Sequence, residues 1–162
     1  MTTSLKQISA LVVDDNVNMC KIVGTILRGA GLEDVRFAEG GEQALGRMTS
    51  WRPSVVFVDF HMSPVDGIQF VRAVRSSEIV AERFTPIIML TGHTSIRHVK
   101  EARDAGVNEV VVKPATAQMV MDRLSRVIFQ PRPFVEGGGF FGPDRRRRRD
   151  PSYSGPLRRS VD

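Results

Sequence analysis

A chain of 162 residues, 41% of them hydrophobic, suits one domain with a real core plus an appendage. No apolar run approaches the ~18 residues of a membrane span, MTTSLKQISA at the start has no apolar core of the secretory kind, and the single cysteine, Cys20, excludes an intrachain disulfide and makes a reducing cytoplasm the expected compartment. Residues 1–130 carry 15 Lys+Arg against 14 Asp+Glu, whereas residues 131–162 carry 8 Arg against 4 acids, so most of the net +5 belongs to the last fifth of the chain.

The elements follow in chain order. Ile8 to Val13 is a short, β-branched-rich apolar run that reads as a strand, and it ends in Asp14 and Asp15. Met19, Ile22, Val23, Ile26 and Leu27 then fall on one helical stripe, with Gly29 or Gly31 placed to end it. Val35-Arg36-Phe37-Ala38 alternates and predicts an edge strand; Ala44, Leu45 and Met48 mark a shorter helix. Val55 to Val58 is fully apolar and stops at Asp59, before a turn containing Pro64 and Gly67. Ile68, Val71 and Val74 predict a third helix, and Ile87 to Leu90 a strand that ends in Thr91 and Gly92. Ile96, Val99 and Ala102 predict a fourth helix with Gly106 past its end. Val110 to Val112 is the last strand, followed by Lys113 and Pro114. Val120, Leu124, Val127 and Ile128 form the stripe of a fifth helix, with Thr116 at its N-cap.

Strand and helix alternate five times over about 125 residues, the pattern of an α/β domain with one parallel sheet and helices on both faces. Ligands of such sheets bind beyond the carboxyl ends of the strands. There the chain places Asp14, Asp15, Asp59, Thr91 and Lys113. Three carboxylates in one cleft repel each other unless a cation joins them, and hard oxygen ligands suit Mg²⁺. A carboxylate is also a nucleophile able to form an aspartyl phosphate. The three equatorial oxygens of a transferring phosphoryl group need charge waiting for them; Mg²⁺, the Lys113 ammonium and the Thr91 hydroxyl are one such set.

These five positions, joined with the D-x-x-M-x-P-x-D-G turn from Asp59 to Gly67, resemble the receiver domain of two-component response regulators over roughly residues 6–129. The resemblance implies a flavodoxin-like, doubly wound five-stranded parallel sheet of order 2-1-3-4-5. It implies Asp59 as phosphoacceptor, charged by a histidine kinase or a phosphotransfer protein. It implies Asp15 as a direct Mg²⁺ ligand, Asp14 as one acting through water, the backbone carbonyl of His61 completing the metal site, and a cis Lys113–Pro114 bond, where an ordinary X–Pro bond would be trans. The only catalysis implied is self-phosphorylation and self-dephosphorylation, with a downstream protein target as output. Two features depart from the family pattern: Val110 stands where an aromatic residue usually precedes the lysine by three, and Pro64 lies one place later in the turn than is common.

Other readings stand beside this one. Asp59 alone would serve as a turn former or cap, and Asp14-Asp15 as a helix cap. An aspartate-nucleophile phosphatase that needs Asp-x-Asp is opposed by Asp59-Phe60-His61. A degenerate receiver used only for docking is left open by Val110. His61 and His93, two residues beyond Asp59 and Thr91, flank the route of an attacking water or are plain loop histidines. A zinc site has little support, with His98 mid-helix and Cys20 lacking a partner at metal spacing. The face made by the fourth helix, fifth strand and fifth helix is a candidate for homodimerisation or partner docking.

Residues 131–162, PRPFVEGGGFFGPDRRRRRDPSYSGPLRRSVD, read as a Pro/Gly/Arg-rich flexible or loosely docked extension of a 1–130 domain. Phe134, Phe140, Phe141 and Tyr153 interrupt it. Arg145–Arg149 would suit a protein partner, nucleic acid or an anionic surface. No recognition-helix pattern supports sequence-specific DNA binding.

Overall fold

The computed structural model describes residues 4–92 and 96–145. After a single 3₁₀ turn at Leu5–Gln7, the chain runs β1 (Ser9–Val13), α1 (Val17–Ala30), β2 (Asp34–Ala38), α2 (Gly41–Arg47), β3 (Val55–Asp59), α3 (Gly67–Arg75), α4 (Val80–Arg83), β4 (Ile87–Thr91), α5 (Ile96–Ala105), β5 (Glu109–Val112) and α6 (Ala117–Phe129), then β6 (Phe134–Gly137) and β7 (Phe140–Pro143). The first five strands form one parallel sheet in the order β2-β1-β3-β4-β5, the doubly wound, flavodoxin-like arrangement expected. Among the described residues no helix is long and apolar enough to cross a membrane.

The two-residue period of a strand sends neighbouring side chains to opposite faces, and each face has its own core. Leu11, Val13, Val56, Val58, Ile87 and Met89 pack with Ala44, Ile68, Val71, Val74 and Ala102 of α2, α3 and α5. Ala10, Val12, Val55, Phe57, Ile88 and Leu90 pack with Val23 and Leu27 of α1 and Val120 and Leu124 of α6. Every residue of β3 and β4 is buried, which is why those stretches read as unbroken apolar runs. The weaker alternation at 34–38 belongs to an edge strand.

Caps set the helix starts. Asn16, and neither Asp14 nor Asp15, caps α1: its side chain accepts hydrogen bonds from the amides of Asn18 and Met19. Asp66 and Gln69 form a reciprocal capping box on α3, and Thr116 accepts from Met119 at the start of α6. Leaving these ends to Asn16, Asp66 and Thr116 frees Asp14, Asp15 and Asp59 for other work.

Two elements differ from expectation. The single-turn helix α4 has no apolar stripe to announce it; Ser77 Oγ lies 3.2 Å from Glu82 Oε2, and Arg83 Nε donates to Arg75 O at 3.2 Å. The larger correction concerns the extension. Residues 134–143, part of the stretch expected to be a flexible or loosely docked extension, form an antiparallel hairpin. Gly138 and Gly139, both at positive φ (55° and 83°), supply the two-residue turn that L side chains resist. Phe134 and Phe141 pack on Phe84 at ring distances of 5.1 and 5.3 Å. Arg146–Arg149 and Tyr153 lie outside the described residues.

Candidate functional site

Parallel pairing carries four strand ends to one edge. Val13 pairs with Val58, Asp59 with Leu90, and Thr91 with Val112. The ladder persists past the strands: Phe60 N donates to Leu90 O at 2.9 Å and Lys113 N to Thr91 O at 2.7 Å. The residues that follow β1, end β3 and β4, and follow β5 are therefore neighbours in space, although Asp14 and Lys113 are far apart in the chain.

The side chains converge. Lys113 Nζ stands 2.7 Å from Asp59 Oδ1 and 3.6 Å from Asp14 Oδ2. Asp14 is 1% exposed and Asp59 6%, while Asp15 faces solvent. One carboxylate oxygen from each of the three acids lies within 4.8 Å of the others. Asp14 Oδ1 accepts from Asn16 N at 2.9 Å, but among the described residues the buried Oδ2 accepts no hydrogen bond.

The electrostatics follow from that geometry. Burial raises the Asp14 carboxyl above its ordinary range; the Asn16 hydrogen bond opposes this and the charge of Asp59 adds to it. Burial alone would lower the Lys113 ammonium. The hydrogen bond and charge of Asp59, with the charge of Asp14, outweigh that and raise it. One ammonium does not neutralise three acids. A buried carboxylate oxygen without a donor, beside two further carboxylates, is a donor set that fits a hard divalent cation such as Mg²⁺.

Gly67 is a site residue that sequence reasoning used only as a turn marker. A Cβ there would sit 2.3 Å from Asp59 O and 3.0 Å from Phe60 Cα, and its amide donates to Phe60 O at 3.0 Å. The start of α3 is pressed against the end of β3, and only glycine permits it. His98 was also missed. Read as mid-helix, it lies with its ring 5.1 Å from Phe60 and 6.4 Å from His61; nothing in the helical period signals that meeting. His61 is exposed, with its ring against Phe60 at 4.9 Å, and His93 lies outside the described residues.

Thr91 is buried at the end of β4, one residue beyond the partner of Asp59. The Lys113–Pro114 bond is cis, as the resemblance implied, and so is Ser63–Pro64, in the turn where the proline is displaced. Val110 is half-buried on β5 and packs against the core on the α2–α3–α5 side of the sheet.

Strand order, acidic pocket and strand-end lysine together define a class: the chain belongs to the response regulator receiver domain family of two-component signalling, whose family model matches residues 10–125. Its relatives include the chemotaxis protein CheY of Pseudomonas aeruginosa, 33% identical over 117 residues that make up 72% of this chain and 93% of that protein. CheY1 of Helicobacter pylori is 36% identical over 119 residues, 73% of this chain and 94% of that one. The solved structure of CheY4 of Vibrio cholerae superimposes with a TM-score of 0.69 at 33% identity, covering 75% of this chain and 98% of that chain. The matched family region ends before β6 and β7.

Proposed function

We propose that this receiver is a phosphoacceptor that takes a phosphoryl group from a phosphohistidine onto Asp59 and thereby switches its contacts with other proteins. The observation that carries the reading is the Lys113 ammonium 2.7 Å from Asp59 Oδ1, beside the carboxylates of Asp14 and Asp15. An Asp59 oxygen forms the new P–O bond while the P–N bond of the donor breaks and the imidazole nitrogen keeps the electron pair. Asp14, Asp15, Asp59 and the His61 carbonyl are the groups that would hold Mg²⁺, which when bound supplies positive charge for the phosphoryl oxygens. Lys113 neutralises a second oxygen and the Thr91 hydroxyl meets a third. Water later cleaves the acyl phosphate, so the protein turns over its own modification and no free metabolite.

Phosphorylation shifts a two-state equilibrium of the segments around Thr91 and Lys113. The donor is a histidine kinase or phosphotransfer protein, and the output is binding or release of a downstream protein. The face of α5, β5 and α6 suits that output or a homodimer: Ile96 is 86% and Phe129 45% exposed, and Val110 and Val112 are half-buried on an edge strand. Contact of Arg145–Arg149 with nucleic acid or an anionic surface is a reading that can coexist with this one; its sign is a steep salt dependence. The cytoplasm is the compartment we assign.

Intact-mass measurement after incubation with Mg²⁺ and phosphoramidate tests the assignment. The wild type gains one phosphoryl group and Asp59→Asn gains none. Labelling that persists in Asp59→Asn would remove Asp59 from the role. No labelling of the wild type, with partner affinity unchanged, would favour the docking-only module.

A further inference from the structure

The hairpin of β6 and β7 lies outside the matched family region, yet it is built onto the body with several kinds of contact. Gly142 and Gly106 meet backbone to backbone. A Cβ on Gly142 would lie 2.9 Å from Gly106 Cα, and a Cβ on Gly106 would lie 3.0 Å from Phe141 O. β7 therefore rests directly on the turn that ends α5 and leads into β5. Arg145 Nη1 donates to Asp104 Oδ1 on α5 at 2.7 Å, with its guanidinium 4.2 Å from the Phe140 ring. Arg83 lies 4.2 Å from the Phe141 ring, and the buried Arg75 lies 4.9 Å from that of Phe134. Arg75 is itself a staple: it donates to Gly106 O at 2.8 Å, Arg83 O at 2.9 Å, Thr85 O at 2.7 Å and Asn108 Oδ1 at 2.9 Å. The hairpin, α3, α4 and the end of α5 are thus one connected body.

What this body holds is a helix with little grip on the core. α5 buries only Ala102 and Ala105, both in its second half, and its first residue, Ile96, is 86% exposed. An element with few buried apolar contacts opens at low free energy. The same helix begins five residues after Thr91, at the edge where the acids and Lys113 gather. Its two ends face two different influences: the site at the first, the hairpin at the last.

We infer that residues 134–145 are a strap that fixes the C-terminal end of α5, biases the position of that helix, and so links the state of the extension to the state of the Asp59 site. The link rests on the phosphoacceptor reading; the restraint of α5 does not. Linkage is reciprocal. If the strap favours the unphosphorylated arrangement, phosphorylation loosens the hairpin, and loosening the hairpin eases phosphorylation.

Hydrogen exchange followed by mass spectrometry on the full chain tests both parts. Gly142→Ala forces β7 off Gly106 while keeping its aromatic residues, and Asp104→Asn removes the ion pair at an exposed position where folding is not at stake. Both variants are expected to speed amide exchange in residues 96–105 by about tenfold, with β1 and β3 unchanged. Faster exchange confined to 134–143, with 96–105 as in the wild type, overturns the strap. So does an increase spread evenly over β1 and β3 in Gly142→Ala without any local effect in Asp104→Asn. With Mg²⁺ and phosphoramidate, the strap expects faster exchange of 134–143 in the labelled wild type and several-fold faster labelling of both variants. Equal labelling rates and unchanged hairpin exchange would sink the link to the site. Failure of the wild type to label at all would count against the phosphoacceptor reading, leaving exchange in 96–105 to decide the strap.

Discussion

Lys113 and Asp59 meet at 2.7 Å although they close different strands, β5 and β3, with β4 between them. The lysine reaches across the end of β4, past Thr91, and its ammonium also lies 3.6 Å from Asp14. Among the described residues a single ammonium thus faces a group of three acids.

Asp14 carries much of the imbalance, because burial raises its carboxyl and, among the described residues, its Oδ2 accepts no hydrogen bond. Its folded pKa lies above its unfolded one, so the folded state binds the proton more tightly. Stability therefore falls as pH rises from the unfolded value through the raised one. Asp14→Asn removes this penalty and, without divalent ions at pH 7, is expected to stabilise the protein. Urea unfolding with and without Mg²⁺ checks it: the ion should stabilise the wild type and do far less for the variant.

Gly67→Ala should damage the site through the backbone. The added Cβ would overlap Asp59 O, so α3 or the end of β3 must move. A loss of roughly 1–3 kcal/mol is expected from such overpacking, with slower labelling of Asp59 by phosphoramidate. Wild-type stability and labelling in this variant would show that the close approach is unimportant.

Cys20 lies one turn into α1, buried, with its thiol 3.4 Å from Asp14 O. Burial first, and then the Asp14 charge, push the thiol up to about 11. The folded chain keeps this proton where the unfolded chain has lost it, so stability declines between about pH 9 and 11. Iodoacetamide at pH 8 should modify Cys20 slowly in the native protein and quickly in urea, and Cys20→Ala should flatten the alkaline decline.

Arg75→Met leaves the carbonyls of Gly106, Arg83 and Thr85 without this donor. With about 1–3 kcal/mol for each buried group left unpaired, a loss of at least ~3 kcal/mol is expected in urea unfolding. Arg75→Lys should recover little of it, because a compact ammonium cannot span the fork of acceptors that a guanidinium reaches.

The centre of the sheet was legible in the sequence because β3 and β4 are buried on both faces. Val55 to Val58 and Ile87 to Leu90 have no solvent side and so form short apolar runs with polar residues at their ends. The helical stripes of α1 and α6 were legible for the complementary reason, since each buries one face only. α4 escaped because a single turn is too short for a period. The hairpin escapes because a glycine-rich composition is shared by flexible linkers and tight turns, although Gly138-Gly139 between Phe134-Val135 and Phe140-Phe141 is a turn signal.

By itself the sequence determined which groups stand at the strand ends, because a parallel sheet with βα connections brings those ends to a common edge whatever the side chains are. Only the tertiary structure decided that the Lys113 ammonium rests on Asp59, that it also reaches Asp14, and that the hairpin is clasped to the end of α5. Those depend on contacts between residues distant in the chain, where shape and local charge select the partner and no periodic pattern records the choice.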